Sequence, residues 1–350
     1  MTSSSRIAVV LAFVASALTV VAPLALGVAA PSVALARRAR RLPPIFTTTH
    51  AGPLLRVVGE APTGVQPKSV TISPDGATLA VCIFGRLNHD NVRFYDARTL
   101  RPTGSVSFPG NAVESAWSAD SRTLYVSNFR RHNLHVIDVA ARRLLGTVRV
   151  GRHPKVVVAA PDGHTVYVAN WAGRSVSVVD TRTMTEVRRL PTGIHPRGMA
   201  VRRDGRLLVL SFEESLLHEF SPDGRELRRE PICTYPRHIV LSPDESRAFV
   251  SCTLRGLSWY ETDTLRRIGT APTGQNPRTI ASTRDGRWIA TADFDTSTVT
   301  IVDTTGSTHR STAPEGADRI VGLAVDPTAA LRVYITSWQT DRVMALEPRQ

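Results

Sequence analysis

The stretch from Gly151 to Leu190, GRHPKVVVAAPDGHTVYVANWAGRSVSVVDTRTMTEVRRL, decides how the chain folds. It holds four short apolar runs, VVVAA, VYVAN, VSVVD and EVRRL, separated by Pro-Asp-Gly-His, Trp-Ala-Gly-Arg and Asp-Thr-Arg-Thr. Runs of that length are too short for helices, and their β-branched residues suit a pleated sheet, so the stretch reads as four antiparallel strands in a meander.

The unit recurs. Its Asp-Gly turn, or a degenerate copy of it, falls at Asp75, Asp120, Asp162, Asp204, Asp244, Asp285 and Asp326, in steps of 40 to 45 residues. One four-stranded sheet cannot cover both of its faces, and copies at that period cover each other by stacking around a ring. Seven copies predict an all-β, seven-bladed β-propeller with four antiparallel strands per blade. A length of 350 residues is then spent on one ring, and 23 Gly with 23 Pro fit a turn-rich β protein.

The two ends of the repeat array complete one another. Leu54 to Gly64 matches Leu265 to Gly274, the fourth strand of the sixth repeat with its exit turn. The seventh repeat supplies three strands, Ile320 to Val325, Val333 to Ser337 and Arg342 to Leu346, and no fourth. The amino-terminal strand is therefore expected to close the last blade as a clasp, which removes two open sheet edges at once.

The propeller is assigned to residues 53 to 350. Residues 37 to 52, with two prolines and a Thr run, read as a linker, and residues 1 to 36 read as a signal peptide or an uncleaved amino-terminal anchor. Residues 7 to 36 carry no charge and end in Val33-Ala34-Leu35-Ala36, which suits a signal peptidase. Arg37, Arg38, Arg40 and Arg41 follow and favour the anchor. The expected location is periplasmic or secreted, with membrane contact only through an uncleaved segment. A monomer is expected. The formal charge of +13 fits an anionic partner and equally a well-solvated basic surface. Cys82, Cys233 and Cys252 show neither CxxC nor CxxCH spacing, so no zinc or covalent haem site is indicated. Cys233 and Cys252 share a repeat and come within bridging reach in an oxidising compartment, whereas Cys82 reads as a buried apolar side chain.

Within each repeat the inner strand starts after Pro-Lys or Pro-Arg, and the second ends in a Tyr-Val-x-Asn type sequence, as at Tyr125-Val126-Ser127-Asn128 and Tyr167-Val168-Ala169-Asn170. The third closes on an acid, at Asp96, Asp138, Asp180, Glu261, Asp303 or Glu347, placed to accept hydrogen bonds from the following turn. This grammar resembles the YVTN β-propeller repeat family, also described as YncE-like, over residues 54 to 347. The resemblance implies a seven-bladed bacterial propeller, usually exported and mostly used for binding. It also implies distant similarity to seven-bladed lactonases that act on phosphorylated sugars.

Antiparallel order places the turn before strand one and the turn after strand two on one face of the disk. Lys68, Lys155, Arg197, Arg237, Arg278 and Arg319 start the inner strands there, and Glu114 takes the matching place in the second repeat when counted from its turn glycine. Six cations and one carboxylate around a channel mouth focus a positive field that an anion relieves. Gln66, His153, His195, His238 and Asn276 lie beside them as further donors. The competing reading pairs each cation with a neighbouring blade, and it needs matching acids found in only one repeat.

A second set, Phe84, Phe129, Trp171, Phe212, Phe294 and Trp338, follows strand two. Aromatic rings near a basic rim suit stacking on bases or sugars, although wedging between blades is their favoured role. Arg130 and Arg131, in the loop Phe129-Arg130-Arg131-His132-Asn133, form a basic recognition element peculiar to one blade. His153 and His195 lack a recurring third ligand, and the adjacent cations repel a metal, so no metal and no cofactor is assigned.

No nucleophile motif or phosphate loop occurs, and no catalytic residue is assigned. Glu114, with a pKa expected to be depressed by the ring, makes a weak general base at neutral pH. The leading expectation is an exported binding protein holding an anionic small molecule or single-stranded nucleic acid over the channel mouth. The alternatives are a lactonase-like hydrolase acting on an anionic sugar derivative and a cell-envelope scaffold for protein partners.

Overall fold

The computed structural model describes residues 52–85, 88–305, 308–329 and 331–349. The segments assigned above to a leader and a linker lie outside these residues, apart from Gly52. Among the described residues, 28 strands pair into seven antiparallel sheets of four, and no helix is long and apolar enough to cross a membrane.

Each sheet is one blade. Blades one to six comprise residues 67–106, 112–149, 154–191, 196–231, 236–271 and 277–312, each a meander whose strand order follows the chain. Blade seven takes three strands from residues 320–348 and its outer strand from Leu55–Pro62. That strand pairs antiparallel with Arg342–Pro348, from Leu55 opposite Pro348 to Pro62 opposite Arg342. The sheet of the last blade is thus sealed by the first strand of the array, as the sequence predicts.

Packing between blades holds the ring together. The inner strands are Pro67–Ile72, Ala112–Trp117, Pro154–Ala159, Pro196–Val201, Pro236–Leu241, Pro277–Ser282 and Ile320–Val325. Each packs against the inner strands of both neighbours, and blade seven meets blade one. Seven apolar clusters result, one at every blade interface; Leu79, Val81 and Tyr95 meet Tyr334 and Val343, for example, where blade one meets blade seven. Two buried tyrosine hydroxyls bond across the seam between blades seven and one. Tyr95 donates its hydroxyl to Pro62 O at 2.8 Å, and Tyr334 donates to Ala97 O at 2.9 Å.

Five inner strands begin at proline, the one place in a strand where a missing N–H costs no ladder bond. Just after that start every inner strand slips register against its neighbour, between Pro67 and Ser69 in blade one and at the corresponding point in the other six. A bulge there re-aims the side chain it carries. The acids closing the third strands serve the turns: Asp96 accepts from Thr99 N at 2.8 Å, Asp138 from Ala141 N at 3.0 Å and Asp180 from Arg182 N at 2.9 Å.

Candidate functional site

The bulge residues are the cations. Lys68, Lys155, Arg197, Arg237 and Arg278 each follow the starting proline of an inner strand, and they come close enough to act on one another electrostatically across the channel. Lys68 feels Arg278, Arg197 and Arg237 as well as Glu114, so side chains separated by many tens of positions share one space. These five form a crown at one end of the channel.

Two members of the expected ring are placed differently. Arg319 is not at the bulge. Its carbonyl accepts the hydrogen bond from Trp338 N, as the carbonyls of Gln66, His153 and His195 accept from Phe84, Trp171 and Phe212, so Val321 holds the cation position in blade seven. The offset arises because Asp326 opens its turn where other blades have Ser73 or Ser118, two residues before the usual turn acid; Asp326 N bonds Arg332 O just as Ser73 N bonds Thr78 O. Arg319 is exposed and pairs with Asp295 at 3.3 Å.

Glu114 is likewise one step further along its strand than counting from Gly110 suggests. Phe129 N bonds Asn111 O, which aligns Asn111 with Gln66 and puts Val113 at the bulge. The turn leading into blade two is as long as those into blades three to six, but its glycine, Gly110, stands one place later in it than Gly151, Gly193 or Gly274 do in theirs, so counting from the glycine overshoots by one. Glu114 therefore sits level with Ser69, His238 and Thr279, immediately past the crown. The expected depression of its pKa is also reversed: burial raises it, and that cost outweighs the attraction of Lys68, Lys155 and Arg197.

The crown is not neutralised by its own acids. Among the described residues no carboxylate oxygen lies within 4.0 Å of its five cations, and Arg197 Nε and Arg278 Nε are buried with no hydrogen-bond partner. Burial and mutual repulsion act together on the charges. Lys155 is lowered to about 6, by burial first and then by Arg197, Lys68 and Arg237. Lys68 is lowered in the same way, Arg197 falls to about 9 and Arg278 to about 10.

Aromatic rings hold these cations in place of carboxylates. Lys155 Nζ stands 4.0 Å from the Trp171 ring centroid, the Arg278 guanidinium 3.3 Å from Phe294, and Arg197 and Arg237 flank Phe212 at 4.7 and 4.8 Å. Lys68 lies over Trp338 at 5.4 Å. A π face positions a cation without cancelling its charge. The two repeated sets that the sequence separates into binding and packing therefore form one device. The rings also run together, with Phe84 in contact with both Phe129 and Trp338, at 6.0 and 5.8 Å.

His153 stacks on Phe129 at 4.4 Å and His195 on Trp171 at 4.0 Å, and their ring planes lie nearly parallel. His195 is within 3.0 Å of Glu213, whereas His153 Nδ1, Trp171 Nε1 and Asn276 Oδ1 are buried without partners. His238 is lowered to about 4 by burial. Among the described residues no three His, Cys, Asp or Glu side chains gather in a way that could hold a metal ion. Arg130 and Arg131 are exposed, and their backbone N–H groups bond Asn111 and Asn128 of the same blade. The half-buried aromatic rings are the functional feature that sequence reasoning undervalued. Their recurrence directly after strand two was the signal.

Cys233 and Cys252 form a disulfide, and Cys82 is a buried free thiol. No family model matches the chain, and no curated protein matches it. Among solved structures, a chain of the hydrazine synthase of Kuenenia stuttgartiensis superposes with a TM-score of 0.71. It is 21% identical in sequence, and the match covers 81% of this chain and 96% of that one. At that identity the likeness bears on the fold, and the architecture is that of a seven-bladed β-propeller.

Proposed function

We propose that this chain is an exported binding propeller of the YVTN type that holds an anionic ligand over the crowned mouth of its channel. The observation that carries the reading is the convergence of Lys68, Lys155, Arg197, Arg237 and Arg278 on one space, with Glu114 the acid beside them and, among the described residues, no carboxylate oxygen within 4.0 Å of any of the five. Assembling these charges costs free energy in the unliganded ring, and an anion on the axis recovers it. The unpaired Nε atoms of Arg197 and Arg278 supply directed donors for such a guest, and the neighbouring His153 and Trp171 nitrogens add two more. The Cys233–Cys252 disulfide supports the exported location, since such bonds persist in oxidising compartments.

The test is a thermal-shift and titration panel of phosphate, citrate and a short single-stranded oligonucleotide at several salt concentrations. At least one should raise the melting temperature, and the Arg197→Ala/Arg237→Ala double variant should weaken its binding by about tenfold or more. For the oligonucleotide the salt slope should become shallower by about two, one for each cation lost. Equal affinity and equal salt dependence in wild type and double variant would count against the proposal.

A further inference from the structure

Beyond the crown lies a cavity of about 630 Å³, within the size range of small-molecule sites. All seven inner strands line it, and it reaches Pro74, Arg203, Pro243 and Glu245 on the opposite face of the disk, where the Asp-Gly turns lie. The middle of its wall is mostly aliphatic, lined by Ile72, Val158, Val201, Val240, Ala281 and Val325, and the hydroxyls of Thr71 and Ser115 there bond each other at 2.8 Å. Polar groups stand at both ends: Ser69, Glu114, His238 and Thr279 at the residue level next to the cations, and Arg203, Ser242 and Glu245 at the opposite face.

Two of those polar atoms, Ser69 Oγ and His238 Nδ1, are buried and make no hydrogen bond of good geometry, although Ser69 faces Glu114 and His238 faces the Ile280 backbone. Burial also holds Glu114 toward its neutral form, in which it donates a hydrogen bond rather than repelling an anion. An aliphatic wall offers water few partners, so an apolar occupant gains the free energy of removing that wall from solvent. A charged crown on an apolar tube selects a ligand with the same division.

We propose that the anion bound at the crown is amphiphilic, a carboxylate or phosphate head on an alkyl body, with its head against the cations and its body in the channel. This rests on the anion-binding reading above and names the class of ligand. The remaining unpaired donors at the crown end then have partners, and the apolar tube has an occupant of matching chemistry.

The probes are inorganic phosphate, butyl phosphate, octyl phosphate and octanol, titrated below the micelle concentration. Affinity should climb by up to about fourfold for each added methylene, the gain from burying one such group. Val158→Trp, which fills the tube, should abolish that climb while leaving inorganic phosphate binding intact. Ala200→Phe does the same from another blade if the first variant fails to fold.

Equal affinity for inorganic and octyl phosphate would overturn the amphiphile and leave the crown as an anion site. Octanol binding as tightly as octyl phosphate would overturn the placement of the head group. Failure of every phosphate to bind would overturn this inference together with the anion-binding reading.

Discussion

Lys155 shows how one residue is tuned by where the ring puts it. Its ammonium is half-buried beside Trp171, among Arg197, Lys68 and Arg237, and its pKa falls from the ordinary 10.5 to about 6. Between those two values the unfolded chain holds a proton that the folded chain has released, so stability must rise with pH across that window. Lys155→Met should therefore stabilise the unliganded protein at pH 7, by about 1 kcal/mol, and flatten the rise of stability from pH 6 to 10. Urea titrations at several pH values check both. The same variant should bind anions more weakly, which separates a functional charge from a structural one.

At this scale much of the site could be read directly. Five of the six cations were identifiable because Pro-Lys and Pro-Arg mark the bulge position outright. Arg319 and Glu114 were displaced because blades two and seven lack that proline; in blade two the turn glycine has moved by one place, and in blade seven the turn acid has. The cation–aromatic pairing was only partly legible: Lys155 with Trp171, Arg197 with Phe212 and Arg278 with Phe294 recur at a near-constant spacing within a blade, but Lys68 with Trp338 and Arg237 with Phe212 join different blades, which only ring closure brings together.

At the scale of the element, five blades pin the lead-in turn to the residue that ends the second strand, and they do this with different chemistry. Asn128 Oδ1 accepts from Asn111 N, Ser211 Oγ from Gly193 N and Ser337 Oγ from Asp318 N. Asp293 does the same for Gly274 N at 3.1 Å and also accepts from the Thr291, Thr298 and Thr300 hydroxyls; burial nonetheless raises its pKa to about 6. In blade five Cys252 stands in this place and bonds covalently to Cys233, in the lead-in turn.

Asn128 of one Tyr-Val-x-Asn sequence is thus a pin, whereas in blade three Ser177 Oγ accepts from Gly151 N and Asn170 bonds Ser177; in blade five the disulfide replaces the hydrogen bond. A double Cys233→Ser/Cys252→Ser variant should lose about 3 kcal/mol of stability, the order expected for a bridge closing a loop of this size. It should still bind anions once folded. Denaturation of the wild type with and without reductant measures the first, and titration of the variant measures the second. The sequence placed both cysteines near adjacent strand ends, and what it withheld was that the position is a structural joint in five of the seven blades.

The whole molecule converts a period into a place. Seven repeats of 40 to 45 residues bring one position per blade to a common axis, and the clasp of Leu55–Pro62 on Arg342–Pro348 keeps that axis closed. Ring, blade count and clasp were all legible because they follow from repetition and from a missing strand at each end. The channel was not, because its bore and its apolar wall depend on how inner strands pack across blade interfaces. The crown is where the closed ring differs most from the sum of its blades: a single blade contributes one charge, and only closure makes those charges repel.

The most direct measurement is a crystal structure soaked with tungstate, whose anomalous scattering locates a tetrahedral anion unambiguously. The account predicts the strongest peak on the ring axis, within hydrogen-bond reach of Lys155, Arg197 and Arg278. Peaks confined to the outer circumference, with the crown empty, would contradict it.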